Sequence, residues 1–163
     1  MDQLANILDG YIEKKRQKFT ALSEEIWRYA EVGFQEFRSA QALERFLEEE
    51  GFTLEKGVAG IPTAFTARYG SGKPVIGFLG EYDALFGLSQ QPGNPQRALF
   101  ENAAAGHGCG HNELGVGSLA AAVAVKEYMK EHGLAGTVVY CGCPAEEDGS
   151  GKIFCVTSAI AGE

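Results

Sequence analysis

Two apolar runs constrain this chain more than anything else in it. Val75-Ile76-Gly77-Phe78-Leu79 and Thr137-Val138-Val139-Tyr140-Cys141 lack the polar alternation of a half-exposed strand, which predicts strands buried on both faces. Each run then stops at glycine and acid. Gly80-Glu81-Tyr82-Asp83 follows the first, and Gly142-Cys143-Pro144-Ala145-Glu146-Glu147 follows the second. Buried strands separated by a helical segment are normally parallel, joined by a crossover. The expectation is an α/β fold with a mostly parallel sheet flanked by helices, and with ligands bound beyond the carboxyl ends of the strands.

Periodicity supplies the helices. Leu4, Ile7, Leu8, Tyr11 and Ile12, then Phe19, Leu22, Ile26 and Ala30, recur at three- and four-residue steps, predicting an amphipathic helix broken within 14–18. A second helix is expected over 35–50, with Ala40, Leu43 and Leu47 inward and Phe46 beside them. Gly51 suits its left-handed C′ position, and Phe52 can fold back onto the last turn. Trp27 is expected to pack beneath the first helix. Residues 61–69 alternate like a strand with one covered face, and Gly70-Ser71-Gly72-Lys73-Pro74 reads as a turn. No periodicity runs from Ala84 to Gly110, a length that in a compact domain signals function or disorder. A further helix should start near Asn112 and run to His132, closed by Gly133, with Gly115, Gly117 and Ser118 permitting close approach to a neighbouring backbone.

With 163 residues the chain fits one domain, residues 1–163. A net charge of −8 and the lack of any dense Lys/Arg patch exclude nucleic acid and anionic membrane as main partners. The amino terminus lacks the basic and apolar regions of a signal peptide, so a cytoplasmic location is expected. Four cysteines, Cys109, Cys141, Cys143 and Cys155, include no Cys-x-x-Cys pair and suit core positions or a metal ligand better than disulfides.

The chemistry concentrates in Gly106-His107-Gly108-Cys109-Gly110-His111-Asn112, where three ligand-type side chains alternate with glycine. Glu146 and Glu147 could divide the work of a hydrolytic metal site, one binding the ion and the other accepting a proton. Each motif also has a plainer reading. Cys109 could be a small core residue, or a nucleophile paired with His107 or His111, and the Glu pair could be a solvated acidic turn. His132 complements a helix C-terminus, and Cys141, Cys143 and Cys155 read as core or neutral positions.

Taken together, Gly80-Glu81-Tyr82-Asp83-Ala84-Leu85, the His-Cys-His segment and Pro144-Ala145-Glu146-Glu147, with 149–152 following, resemble the di-metal amidohydrolases of metallopeptidase family twenty. The similarity is nearest to the branch of aminobenzoyl-glutamate hydrolases, dipeptidase relatives and indoleacetyl-amino-acid hydrolases. It runs over 75–152, and Glu31-Val32-Gly33-Phe34 fits the family's leading pattern. The resemblance implies a partial zinc-exopeptidase-like catalytic domain lacking the lid or dimerisation domain. It implies Cys109, His111 and Glu147 as metal ligands, with Cys109 where related enzymes bridge two ions through a carboxylate. Glu146 would be the general base and acid, and Asp83 a catalytic-site carboxylate that orients a ligand. His107 would be a structural group or one that backs a ligand, not a ligand itself, and Glu81, standing where other branches carry a ligand histidine, is given no role.

Two divalent ions are implied, zinc first, with manganese, nickel or cobalt also suited to such donors. The implied substrates are N-acyl amino acids, dipeptides or aminobenzoyl-glutamate-like amides; self-association into a homo-oligomer is compatible with this reading. Phe86 stands where the family has proline, and after Lys152 the sequence drifts from the family pattern. The chain is therefore expected to hold the amino-terminal part of one catalytic domain and to be inactive alone. The alternative is a non-catalytic remnant or metal-binding interaction module, in which exposed sheet edges would drive association.

Overall fold

The computed structural model describes residues 2–101, 103–149, 151–154 and 157. Cys155 lies outside the described residues. Helices α1 (Asp2–Lys14) and α2 (Arg16–Tyr29) are separated at Lys15, inside the expected break. Helix α3 (Phe37–Glu49) closes as its sequence predicts. Gly51 takes φ 86°, its N–H donates to Glu48 O and the Phe52 N–H to Leu47 O, which satisfies carbonyls the helix would leave orphaned. Phe52 is thereby buried, its ring centroid 5.8 Å from that of Tyr69.

Strands β1 (Thr53–Lys56), β2 (Phe65–Ser71), β3 (Val75–Glu81) and β6 (Gly136–Cys143) form a sheet of order β1-β2-β6-β3. The α/β class stands, but the sheet is mixed. Only β3 and β6 pair parallel; β1–β2 and β2–β6 are antiparallel. The expected parallel majority fails because the hairpin of β1 and β2 supplies the other half of the sheet, and short connections impose antiparallel pairing. A two-residue ladder of β4 (Leu85–Phe86) and β5 (Ala105–Gly106) punctuates the long connection, which is otherwise knitted by the Gln90 side chain to the carbonyls of Asn94 and Gln96.

All four helices contribute to one hydrophobic cluster on one face of the sheet, with Phe65, Ala67, Val138 and Tyr140 beneath Leu43, Leu47, Leu119 and Val123. Helix α4 (His111–His132) packs along β3 and β6, ending at Gly133 as expected. The opposite face is covered only in part, by Val58, Ala64 and Cys143 with Ile61 and Cys141.

Strand β3 corrects the reading of 75–79 as buried on both sides. It is the edge of the sheet, and Val75, Ile76 and Leu79 are 49%, 44% and 41% exposed. Apolar content matched a central strand, but among the described residues β6 is its only sheet neighbour. No helix among the described residues is long and apolar enough to cross a membrane. Trp27 also departs from expectation. Its ring lies 4.7 Å from Phe100 in the long connection, so it anchors that loop to α2 instead of filling the space beneath the first helix.

Candidate metal centre

Strand direction brings the acids together. Glu81 sits opposite Cys143 in the parallel ladder, so the segments after β3 and β6 leave the sheet at one edge, where α4 also begins at His111. Close approach requires glycine. A Cβ on Gly115 would lie 2.4 Å from the Glu81 carbonyl oxygen, and one on Gly80 1.9 Å from the Tyr140 hydroxyl. That hydroxyl donates to Gly115 O at 3.1 Å, tying β6 to the first turn of α4. Gly117, expected to share this task, meets nothing within 4 Å.

His111 is 2% exposed, and its Nδ1 lies 2.9 Å from Asp83 Oδ1. With the proton assigned to Nδ1, the N–H donates to the carboxylate and the Nε2 lone pair is left free. Nε2 faces Glu81 Oε2 at 3.3 Å, Glu146 Oε2 at 3.8 Å and Glu147 Oε1 at 3.8 Å. The other oxygen of Asp83 accepts the Glu147 backbone N–H at 2.9 Å. Asp83 thus holds both the imidazole and the carboxylate turn.

Donor atoms of Cys109, His111 and Glu147 lie within 4.8 Å of one another, as do those of Glu81, His111 and Glu146. A lone pair facing three carboxylates is repulsive unless a cation, be it a metal ion or a proton, lies among them. A mixture of thiol, imidazole and carboxylate at this spacing could hold a divalent ion. Cys109 is exposed, and its hydrogen bond to Glu147, reinforced by that carboxylate's charge, pushes the thiol pKa up. That direction is opposite to an activated nucleophile and weighs against the thiol-enzyme reading.

His107 does not join either donor group. Its Nε2 lies 3.1 Å from Ile26 O, pinning the glycine-rich loop to α2, and burial pushes its pKa down, which keeps the ring neutral. His132 bonds Tyr128 O at the end of α4, as a helix-terminal histidine should. Cys141 and Cys143 lie in β6, where the Cys143 thiol donates to Cys141 O at 3.4 Å.

Sequence reasoning left out two carboxylates. Glu81 lies 8% exposed in the cluster and pairs with Lys152. The period-two alternation of an extended strand, which puts Glu81 and Asp83 on one side, was the available signal. Glu36, fully buried, accepts the Ala145 N–H at 2.8 Å, and no local pattern announces it.

No protein-family model matches the chain. Its homologues and structural neighbours are peptidases of the M20 family. Over 160 residues, 98% of the chain, it is 48% identical to one of the polypeptides of the p-aminobenzoyl-glutamate hydrolase of Escherichia coli (strain K12). It is also 32% identical over 154 residues to the Xaa-Arg dipeptidase of Mus musculus. The chain spans about one third of these relatives, 33% and 32% of their lengths. Among solved structures, it matches a dinuclear metal-binding M20 peptidase from Bacillus subtilis with TM-score 0.63 and 24% identity, over 89% of this chain and 40% of that one. An aminobenzoyl-glutamate utilization protein from Klebsiella pneumoniae matches with TM-score 0.67 and 20% identity, over 94% and 43%. These two likenesses concern the fold.

Proposed function

We propose that this chain carries one part of the site of a metal-dependent amidohydrolase or peptidase that cleaves the amide bond of N-acyl amino acids, dipeptides or aminobenzoyl-glutamate-like substrates. The observation that carries the reading is the convergence of the Glu81, Glu146 and Glu147 carboxylates on the free Nε2 of an Asp83-oriented His111, with Cys109 beside them. Cys109, His111 and Glu147 would hold the metal. When bound, divalent ions polarise a carbonyl and acidify a water.

The protein's own residues then divide the proton work. Glu147 is committed by its backbone bond to Asp83 and by its contact with the Cys109 thiol. The Glu146 side chain, 40% exposed against 23% for Glu147, is free to reach substrate. Glu146 accepts the proton of the attacking water and passes it to the leaving amine. Asp83, bonded to Nδ1 of His111, turns Nε2 toward the Glu pair.

Cys109, His111 and Glu147 would give one ion its three protein ligands and leave a second ion short, and the chain spans only a third of its relatives, so the 163 residues alone are proposed to bind metal without turning over substrate. Isothermal titration with zinc tests this. Binding should be lost on His111→Ala and on Cys109→Ser; unchanged binding in both variants sinks the metal site. Turnover of p-aminobenzoyl-glutamate by the 163-residue chain, abolished by Glu146→Gln, would overturn its inactivity.

A further inference from the structure

The buried acid that this chemistry leaves unused is Glu36. We propose that Glu36 is a positioning residue for the Glu146-Glu147 pair, gripping the amide of Ala145 and so fixing the backbone step from which both carboxylates project. The proposal deepens the metal-site reading and rests on it for its consequence, not for its geometry.

Ala145 is the last residue before the pair, 0% exposed and held at φ 53°, the left-handed region that alanine seldom enters. A non-glycine residue stays there only where its surroundings leave no alternative. Those surroundings come largely from the loop ahead of α3, more than a hundred positions earlier in the chain. Glu36 Oε1 takes the Ala145 N–H at 2.8 Å across a sequence separation of 109. Gly33 lets the same loop lie against the turn, since a Cβ there would stand 1.9 Å from Asp148 Oδ2 and 3.1 Å from the Ala145 Cβ. Two residues on from Ala145, Asp83 takes the Glu147 N–H, and the Gly149 N–H closes the turn on Glu146 O at 2.9 Å. The Glu pair therefore hangs between two carboxylates, Asp83 on its far side and Glu36 on its near side.

Stability alone does not account for an acid at this position. Glu36 is 0% exposed, and among the described residues no lysine, arginine or histidine pairs with it. Burying a carboxyl without a cation is unfavourable. Burial pushes its pKa up, and the backbone amides of Glu36 itself and Ala145 are the main groups holding it down. An apolar side chain would fill the space at lower cost but could not hold the amide of Ala145.

The test uses Glu36→Ala, Glu36→Asp, which keeps the charge but withdraws the acceptor, and Glu36→Gln, which keeps an acceptor oxygen at the same reach. Amide hydrogen exchange is read first on the metal-free 163-residue chain. In Glu36→Ala and Glu36→Asp the Ala145 amide should exchange at least about tenfold faster while Tyr140 in β6 stays protected; Glu36→Gln should match wild type. Unchanged Ala145 exchange in Glu36→Asp overturns the proposal, even if Glu36→Ala fails to fold.

Zinc titration is read second. Both variants should bind about 10–100-fold more weakly, with Glu36→Gln restoring affinity. In a Glu147→Gln background the Glu36→Asp penalty should vanish, because Glu36 acts through that side chain. A full penalty in that background also overturns the proposal. If wild type binds no zinc, the metal-site reading fails, and the Ala145 exchange still decides the role of Glu36.

Discussion

Strands β3 and β6 read alike in sequence and end in opposite circumstances. Each is an apolar run closed by glycine and acids, and they lie side by side in parallel register. Yet Val138 and Tyr140 in β6 are fully buried, whereas their register partners Ile76 and Phe78 are respectively 44% exposed and half-buried. The difference lies in neighbours. Among the described residues β6 has β2 on one side and β3 on the other, while β3 has only β6 beside it in the sheet; α4 packs on both. Apolar content therefore measures the burial a strand is suited to, and topology decides the burial it receives.

Substitutions at register partners should sharpen this contrast most. Tyr140→Ala removes a buried ring and its bond to Gly115 O and should cost about 3–5 kcal/mol in urea denaturation. Phe78→Ala, directly opposite, should cost less than half as much; equal losses would mean that β3 is as enclosed as β6. Next comes the junction between β3 and α4. Gly115→Ala would drive a methyl group into Glu81 O and should cost about 1–3 kcal/mol. Gly117→Ala, two residues further along α4 and in open space, should be neutral or slightly stabilising through helix propensity.

A smaller effect separates the acids at the two strand ends. Glu81 has the Lys152 cation, but among the described residues no cation pairs with Glu36, which serves the end of β6, and burial raises its pKa above the usual 4.5. Below that value the carboxyl is protonated in both folded and unfolded chains. As pH rises past it, the unfolded chain releases a proton that the folded chain retains, so stability falls until pH passes the folded pKa. Glu36→Gln removes this loss. Its melting temperature relative to wild type should climb as pH rises from the usual carboxylate range toward neutrality and then level off; a flat difference would show that Glu36 does not titrate abnormally.

The smallest effect is expected at the open edge. Leu79→Ala should change stability by less than about 1 kcal/mol, because a side chain 41% exposed has little burial to lose. Leu79→Lys should instead lower any concentration-dependent association seen by sedimentation, since a charge on an edge strand opposes pairing with a second sheet. Association that persists unchanged would place the contact elsewhere.

How much was legible before the structure follows the range of each interaction. The break at Lys15, the glycine closure of α3 and the span of α4 depend on a few neighbouring residues, and their periodicity and caps were plain. Asp83, Cys109, His111, Glu146 and Glu147 were also visible, because each sits in a short motif at a strand or helix end, and the fold brings them to one edge. Glu81 is legible through alternation, although the family pattern has a different residue type at its position. Glu36 was not legible at all: as an acid ahead of a helix it looks like ordinary dipole compensation, and its partner is 109 residues away.

By itself, then, the sequence determined the α/β class, the local elements and the residue types that meet beyond the strand ends, since propensity, capping and hydrophobic pattern act over short stretches. Tertiary structure alone decided that the sheet is mixed, that β3 is an edge and that a buried glutamate braces the turn carrying the Glu pair. Strand order and contacts between distant segments are properties of packing, and no local pattern encodes them.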